Sequence, residues 1–409
     1  MVMECIVFLE THKSGSSRDA IEAAVQMGFF TILFTQQMKK LHQREEYPDV
    51  HQMIFVKDLR DKGVIYEHLR IINKQEKQIK ALVSFVDPFV HLAAEIAAEL
   101  GSASLSVDAL YKMEDKTRFR ETLKGHPAAP EHAVLPLKED GDTLFHTHVN
   151  QLPVILKSPV SNGSKDVLLI DDKDAFLTAC TSFKKQAGLS SLLLEEYVEG
   201  PQYLIEIIVE HGNVHLAAVI EQVISKEARF IITGYLMPAP LPDSSLEELQ
   251  TVMESIVEQL GLSHGTCHAE MRRTVHGWKL IEINPRISGS AVNQLIYEST
   301  GISLVKETLK LNLGYPIDCT PKNQLSAYAH FITMQRKGKL IKVTGKQKAK
   351  TVEHIKKVYV KPRRGSILSA PVSMGHRYAY VIAAAPDPDE AVSAATSAAR
   401  EIKFHLEPV

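Results

Sequence analysis

The sequence predicts a mixed α/β (α+β) protein whose first hundred residues form a Rossmann-like domain. At 409 residues the chain exceeds the usual size of one hydrophobic core, so two or three domains are expected. In the middle of the chain, segments 203–209 and 214–223 alternate apolar and polar residues, as antiparallel strands do. The N-terminal part instead alternates whole elements, as a parallel sheet covered by helices does: strands at 4–9, 29–34, 54–56 and 81–85, with helices at about 18–27, 64–73 and 88–100.

Composition and charge exclude several classes of protein. The net charge is −2 and 23% of residues are charged, so nothing indicates a nucleic-acid or anionic-membrane partner. The basic segment 336–364 lacks interleaved aromatic residues and is interpreted as a solvated face. No apolar run approaches the roughly 18 residues of a membrane span, and no signal-peptide pattern opens the chain. Four scattered cysteines without C-x-x-C spacing predict a reduced, cytoplasmic protein, and a homodimer is left open.

The N-terminal domain lacks a dinucleotide signature. No G-x-G-x-x-G follows the first strand, and the turn 11–17 is too loose to count as one. Ligands of such sheets bind at the carboxyl ends of the strands. Ser84, which ends the fourth strand close to Asp87, is therefore a candidate for substrate contact.

The middle of the chain offers candidate anion-binding residues. Segment 108–123 is a helix–turn–helix stretch containing Asp115-Lys116, and the Pro-rich piece 127–136 is predicted to be a linker. A strand at 152–157 ends in Lys157. The small polar loop after it can fold backbone N–H groups over an anion, although a plain hairpin turn is the alternative; its candidate residues are Ser161, Gly163 and Ser164.

Three further elements follow in order. An apolar strand from residue 191 runs into Glu195-Glu196 and a bend at Gly200-Pro201. Segment 225–242 is predicted to be a long Pro-rich loop. Residues 244–260 show helical spacing.

The most informative stretch is 264–290, which predicts a β-hairpin. Val275-His276-Gly277 suits a three-residue loop, with Gly277 in the left-handed conformation. Because side chains alternate along a strand, this loop predicts four facing pairs: Glu270 with Glu282, His268 with Asn284, Ala269 with Ile283, and Met271 with Ile281. The apolar members form a core face, and the polar members form the other face.

Two carboxylates that face each other across a sheet repel, and a cation relieves the repulsion. The oxygens of Glu270, Glu282 and Asn284 suit a hard ion, Mg²⁺ or Mn²⁺, that keeps positions for water and phosphate. Arg286 lies two residues further on and can hold an anion. The alternative is a solvated acidic face neutralised by basic residues elsewhere.

Glu270 followed by E-I-N-P-R at 282–286 resembles the metal-binding signature of the ATP-grasp superfamily. The resemblance implies ATP and Mg²⁺ as cofactors, and two α+β lobes that clamp ATP. It divides the chain into a Rossmann-like domain at 1–108, a small lobe at 109–200, and a large lobe with a C-terminal α+β extension at 201–409. The motif D-K-x-x-x-R at 115–120 resembles the entry to this fold.

The same resemblance implies roles for individual residues. Lys116, Lys157 and the loop at 158–165 would contact phosphates, and the hinge would bind adenine through Glu195, Glu196, Tyr197 and Val198. Gln202 occupies the position where relatives have a ribose-binding acid, and an amide is a weaker acceptor than a carboxylate.

Among these enzymes the chain resembles the bacterial L-amino-acid ligases most. The resemblance implies that a substrate carboxylate attacks the γ-phosphorus of ATP, that an amine attacks the resulting acyl phosphate, and that Arg286 stabilises the developing charge as the catalytic residue. Small-molecule amino acids would be the substrates, with Gly289 and Ser290 as candidate specificity positions, unless Ser288 or Ser290 is a simple helix cap. The His of the family pattern G-H-x-x-P is absent, because Gly234-Tyr235 stands there. A D-alanine–D-alanine ligase, a biotin- or purine-type carboxylase, and a nucleotide-binding module without turnover are the alternatives.

Overall fold

The N-terminal domain contains the expected parallel sheet. The computed structural model describes residues 2–101, 105–159, 166–225 and 230–409. The strands lie in the order β3-β2-β1-β4, with parallel pairing throughout. Helices cover both faces, so the second half of β1 is buried on each side. The elements are β1 (Met3–Leu9), α1 (Ser16–Gln26), β2 (Phe30–Thr35), α2 (Met38–His42), a 3-10 turn (Arg44–Glu46), β3 (Gln52–Phe55), α3 (Lys62–Asn73), β4 (Lys77–Val83) and α4 (Val90–Glu99).

Two short helices and a four-stranded antiparallel sheet follow. The sheet has the order β5-β8-β6-β7 and packs its apolar face against two helices. The segment 127–136, predicted to be a linker, ends in a strand of this sheet, because its last five residues pair with β8. The elements are α5 (Val107–Met113), α6 (Lys116–Thr122), β5 (His132–Pro136), α7 (Gly141–His148), β6 (Val154–Lys157), β7 (Val167–Ile170), α8 (Lys173–Lys184) and β8 (Ser191–Glu196).

Helices α5 and α6 precede the small sheet in sequence but pack elsewhere. Asp115 caps α6 by accepting hydrogen bonds from the backbone N–H groups of Thr117 and Arg118. The apolar sides of both helices, including Met113 and Phe119, belong to the core of the large sheet described next. They therefore place Lys116 beside that sheet. The predicted domain boundaries themselves stay a prediction.

An eight-stranded sheet of order β13-β12-β9-β10-β11-β14-β18-β16 forms the body of the second half. The segment 225–242, predicted to be a loop, contains β11, which pairs with both β10 and β14. A three-stranded sheet, β17-β15-β19, completes the C-terminal part. The elements are β9 (Gln202–Glu210), β10 (Asn213–Ile224), β11 (Ile232–Met237), α9 (Asp243–Leu260), β12 (Gly265–Thr274), β13 (Gly277–Asn284), α10 (Val292–Thr300), α11 (Leu304–Leu313), β14 (Ser326–Ile332), β15 (Gly338–Thr344), α12 (Lys346–Lys350), β16 (Ile355–Val360), β17 (Ile367–Leu368), a 3-10 turn (Met374–His376), β18 (Ala379–Ala385), α13 (Pro388–Glu401) and β19 (Lys403–Glu407).

The β12–β13 hairpin confirms three of the four predicted pairs. Glu270 faces Glu282, His268 faces Asn284 and Ala269 faces Ile283. The fourth pair is wrong, since the register shifts by one residue next to Glu270 and Met271 faces Leu280. The loop accordingly has two residues rather than three, because Gly277 already pairs with Thr274.

This β-bulge changes which side chains reach the core. Trp278 and Leu280 are buried in the core of the large sheet, with Ile283 beyond them. Ile281, predicted to be a core residue, instead lines a cavity on the polar face of the hairpin. Within the described ranges, no helix is both long and apolar enough to cross a bilayer.

Candidate functional site

The two facing carboxylates of the hairpin have unequal surroundings. Glu282 lies 3.3 Å from the Lys116 ammonium, whereas Glu270 accepts hydrogen bonds from two neutral amides, Gln202 at 3.2 Å and Gln222 at 3.4 Å. Burial, and then the charge of Glu282, raises the pKa of Glu270. Burial acts against Glu282 as well, but Lys116 and Lys157 hold its pKa below the usual value. Lys116 and Lys157 also act on Glu270, but there burial and the charge of Glu282 outweigh them, whereas at Glu282 the two cations prevail.

His268 fixes the orientation of the Asn284 amide. Its Nδ1 lies 2.6 Å from the Arg286 carbonyl oxygen, which can only accept, so Nδ1 carries the proton. Nε2 is then an acceptor for Asn284 Nδ2 at 3.2 Å. Burial lowers the pKa of His268 to about 4, which keeps this neutral form near pH 7. With Nδ2 engaged, Asn284 Oδ1 is the amide atom left for a cation.

These donors fit a hard divalent ion. Two carboxylates and one amide oxygen are the ligand types that Mg²⁺ takes. Across the described part of the chain, no group of three or more His, Cys, Asp and Glu side chains could hold a metal. A cation bound by Glu270, Glu282 and Asn284 would therefore complete its coordination with water or substrate oxygens.

The raised pKa of Glu270 predicts that this carboxyl removes stability from the metal-free protein as pH rises from about 4.5 to about 7. The unfolded carboxyl ionises near 4.5, and the folded one near 7, so stability is present below that window and is lost through it. Buried Glu206, whose pKa burial also raises to about 7, acts in the same direction. Each shift corresponds to at most about 3 kcal/mol. His268, whose pKa burial lowers to about 4, acts in the opposite direction below about pH 6.5, so the contribution of Glu270 is measured as the difference in Tm between wild type and a Glu270 variant from pH 4.5 to 8. Mg²⁺ should raise the wild-type Tm more at the upper end of this range, where the carboxyl is ionised.

Glu270→Gln provides the control for this pH dependence. The variant removes the Glu270 carboxyl and keeps Glu206 and His268, so its Tm minus that of wild type should increase as pH rises from about 4.5 to about 7. A difference that does not change with pH would contradict the assignment of the raised pKa to Glu270.

A first cavity, the hinge cavity, opens beside the end of β8. One wall carries a buried ionic triad: Lys157 Nζ lies 2.7 Å from Glu195 Oε2, and Arg120 Nε lies 2.6 Å from Glu195 Oε1. Arg120 also donates to the Ile281 carbonyl at 2.7 Å. Burial alone would raise the pKa of Glu195, but the two cations lower it to about 2. Glu195 thus holds Lys157 at the cavity wall.

The rest of the hinge cavity is an apolar slot with a polar rim. Arg272 donates to the Val198 carbonyl, stacks 5.5 Å from the Tyr197 ring centroid, and donates to Gln202 Oε1 at 3.0 Å. The Gln202 amide donates to Gln222 at 2.7 Å and also to Glu270. Both ends of Gln202 are therefore engaged with protein groups, and its predicted ribose contact stays a prediction. The apolar lining is Pro130, Ile155, Val167, Tyr197, Val198, Phe230, Ile281 and Met374.

A second cavity, the loop cavity, lies on the other side of the two carboxylates. It shares Glu270, Glu282 and Met374 with the hinge cavity. Its other walls come from the turn before α1, the segment after the hairpin, and the C-terminal part; they include His12, Ser14–Ser17, Tyr235, His268, Asn284, Arg286, Ser288–Ser290 and Arg377. The facing carboxylates therefore stand at the border between two cavities.

The turn before α1 closely abuts the segment after the hairpin. Gly15 has φ 85°, and a Cβ at this position would lie 3.0 Å from the Ser290 backbone nitrogen. Neither Ser288 nor Ser290 caps α10, whose N-cap residue is Ala291 without a side-chain bond. Ser288 lies in the wall of the loop cavity, and its backbone N–H donates to the buried Glu206 carboxylate at 3.1 Å. Its side chain also lies close enough to Glu206 to lower the pKa of that carboxyl against the effect of burial.

The chain matches three family models along most of its length. An ATP-grasp domain model matches residues 150–294, an ATP-grasp N-terminal domain model matches 21–101, and an L-amino acid ligase C-terminal domain 2 model matches 330–407. These matches assign residues 21–101 and 150–294 to the ATP-grasp superfamily. One structural neighbour, the biotin carboxylase domain of 2-oxoglutarate carboxylase from Hydrogenobacter thermophilus, was solved in complex with MgADP and has a TM-score of 0.73 at 16% identity, covering 98% of this chain and 90% of that chain.

Individual proteins are similar to this chain in fold or in sequence. The crystal structure of an L-amino acid ligase from Bacillus licheniformis has a TM-score of 0.83 at 19% identity, and the match covers 99% of each chain. An uncharacterised protein, y4rH, of Sinorhizobium fredii is 28% identical over 63% of this chain. Human carnosine synthase 1 is 25% identical over 60% of this chain. The matches span 54% of the length of y4rH and 32% of the length of carnosine synthase 1.

In this ATP-grasp chain, most predicted site residues come together. Lys116, Lys157, Glu195, Gln202 and the hairpin residues share one connected network, and Glu196 extends it at the rim, 3.5 Å from Lys279. Gly289 and Ser290 lie in the loop cavity. Ser84 does not, because its hydroxyl donates to the Leu9 carbonyl at 2.7 Å, in a small space behind Arg286. Ser161, Gly163 and Ser164 lie outside the described residues.

Sequence reasoning missed other residues of the ATP-grasp site. Arg120 had a signal, since it ends the D-K-x-x-x-R motif. Gln222, Arg272 and Arg377 had no spacing signal, because they reach the site from strands and turns whose pairing the sequence does not reveal. Asp87 was noted only as a neighbour of Ser84, but it forms an ion pair with Arg286.

Proposed function

We propose that this chain joins two L-amino acids into a dipeptide through an acyl phosphate, releasing ADP and phosphate. The observation that carries the proposal is the position of Glu270 and Glu282 between two cavities. An apolar slot with buried cations suits a nucleotide on one side. On the other side, the polar loop cavity contains the cation Arg286 and suits the amino-acid substrates. The L-amino acid ligase domain match at 330–407 supports this reading.

The hinge cavity supplies nucleotide contacts. A purine would lie between the apolar side chains that line the slot, with the backbone of Tyr197 and Val198 at its edge. Lys157 and Lys116 would face the phosphates, since both are buried beside the border carboxylates. Burial lowers the pKa of Lys157 while Glu195 opposes this. An added phosphate would favour the charged ammonium.

Glu270, Glu282 and Asn284 would hold Mg²⁺, which neutralises phosphate charge when bound. Arg286 lies on the loop-cavity side of these ligands. From there it can stabilise the charge that builds on the transferred phosphoryl group and on the tetrahedral intermediate. No side chain needs to act as a covalent nucleophile, because the substrate carboxylate performs the attack.

ADP release with a substrate panel tests the proposal. Purified protein is incubated with ATP and Mg²⁺ plus pooled L-amino acids, D-alanine, or bicarbonate, and ADP and products are measured by coupled assay and mass spectrometry. We expect ADP release and new dipeptides with L-amino acids only. Turnover with D-alanine or bicarbonate alone would favour another ATP-grasp ligase or a carboxylase. No substrate-dependent turnover would favour a binding module.

A further inference from the structure

We propose that Arg377, held in place by Tyr235, binds the carboxylate of the amine-donating amino acid, the one that is not phosphorylated. This assignment rests on the proposed function and deepens it by giving that substrate's carboxylate a defined site in the loop cavity. Tyr235 stands where the family pattern has a His, so the site belongs to this chain's own sequence.

The Arg377 guanidinium has a fixed position. It lies 4.0 Å from the centroid of the Phe331 ring, and its Nη1 donates to the Tyr235 hydroxyl at 3.3 Å. The Tyr235 and Phe331 rings pack edge to face with centroids 5.4 Å apart, and both are buried. Because strands β11 and β14 carry these rings, the cation is held against the large sheet. Stacking on aromatic faces suits Arg better than Lys.

Arg377 lacks an anionic partner among the described residues. Its only side-chain hydrogen bond there goes to a neutral hydroxyl. Arg286, in the same cavity, pairs with Asp87. The nearby Lys361 adds positive charge beside Arg377 and donates to the Gly375 carbonyl at 2.6 Å. A half-buried guanidinium with free N–H groups, facing a cavity and next to another cation, is suited to bind a carboxylate.

The proposed reaction contains two carboxylates and uses only one of them chemically. One carboxylate oxygen forms a bond to the γ-phosphorus while the bond to ADP breaks. The amine of the second amino acid then bonds to the acyl carbon, the C–O bond to phosphate breaks, and the amine loses its proton to solvent. The carboxylate of the second amino acid keeps its charge throughout. Arg286, Glu270 and Glu282 serve the reacting centre, so among the described arginines of the loop cavity Arg377 is the one left for this unreacted group.

Because that charge does not change during the reaction, Arg377 contributes uniform binding. Arg377→Met should raise the KM for the amine-donating amino acid roughly 10- to 100-fold, with kcat and the KM for ATP nearly unchanged. Arg377→Lys should restore part of the loss. Tyr235→Phe should shift the same KM less, since the guanidinium keeps its charge but loses its anchor.

The deciding measurement compares the amine-donating amino acid with its carboxamide, using the substrate pair found with the panel. Wild type should prefer the free acid in kcat/KM by roughly 10- to 100-fold, and Arg377→Met should reduce this preference to near one. Arg363→Met is the control, because this exposed arginine of the same region forms an ion pair with Glu46 at the surface. Unchanged Tm excludes a folding defect.

The outcomes separate this inference from the proposed function. Wild-type dipeptide synthesis without preference for the free acid, or a preference that persists in Arg377→Met, overturns the role of Arg377 and leaves the ligase function intact. If wild type shows no amino-acid-dependent ADP release, the proposed function fails and the role of Arg377 fails with it.

Discussion

Glu282→Gln is expected to reduce amino-acid-dependent ADP release by about 10³-fold, because the border between the cavities loses one of its two carboxylates. The substitution keeps the shape of the side chain but removes its negative charge. In the wild type the Glu282 carboxylate lies 3.3 Å from the Lys116 ammonium and accepts a hydrogen bond from Asn284 at 3.2 Å. Residual activity should need a higher Mg²⁺ concentration, since a neutral amide is a weak ligand for a hard ion. A Mg²⁺ titration of ADP release measures both effects.

Glu258→Gln is a matched control for this substitution. Glu258 lies exposed on α9, away from both cavities, so its variant should keep wild-type turnover and Mg²⁺ dependence. Wild-type Tm should rise on addition of Mg²⁺ and ADP, and that of Glu282→Gln should rise much less. Unchanged ADP release by Glu282→Gln would remove the metal assignment.

The pairing of Glu270 with Glu282 was predicted with a three-residue loop, but the structure reaches the same pair through a two-residue loop followed by a one-residue bulge. Without the bulge, the two-residue loop would place Glu270 opposite Ile281, so the loop alone does not fix this register. The bulge next to Glu270 could not be predicted this way. The extra residue on β13 leaves the Ile281 carbonyl to accept from Arg120, which lies 161 positions away in sequence. A one-residue shift that depends on such a distant partner leaves no local pattern.

Segment 225–242 shows the same limit for a whole strand. Its prolines and mixed composition indicated a loop, yet β11 lies between two long strands that supply its hydrogen bonds. Gly234 on β11 allows the close approach of β14, since a Cβ there would lie 2.1 Å from the Tyr328 hydroxyl. The glycine in this strand therefore marks close packing between neighbouring strands.

The charged side chains of the site were recognisable by type, but their partners were not. Lys157 at a strand end and Glu195 at the hinge were both identified as ligand contacts. Their mutual ion pair, completed by Arg120, became visible only in the structure. Opposite charges that lie near a predicted anion site therefore have to be placed in three dimensions before their roles are assigned.

Arg286→Lys is expected to lower kcat by about 10²- to 10³-fold with little change in the KM for ATP. The Arg286 fork donates through Nε and Nη2 to Asp87 and through Nη1 to the Ile287 carbonyl. Of its five N–H groups, these three contacts with described residues leave two for a reacting group. A lysine cannot hold Asp87 side-on and still present two directed donors. Steady-state ADP release at varied ATP and amino acid measures the split between kcat and KM.

Asp87→Asn tests how much of the effect comes from the position of the Arg286 guanidinium and how much from its direct stabilisation of the transferred group. Asp87 touches the guanidinium rather than the reacting atoms, so its loss should lower kcat less than Arg286→Lys does and in the same direction. Arg273→Lys, on the same hairpin but paired with Glu248 at the surface, should leave kcat unchanged. If Arg286→Lys keeps wild-type kcat while Asp87→Asn reduces stability, the pair only joins the N-terminal domain to the hairpin. The charge developed on the transferred group would then have to be stabilised by Lys116 and Lys157 from the other side of the border.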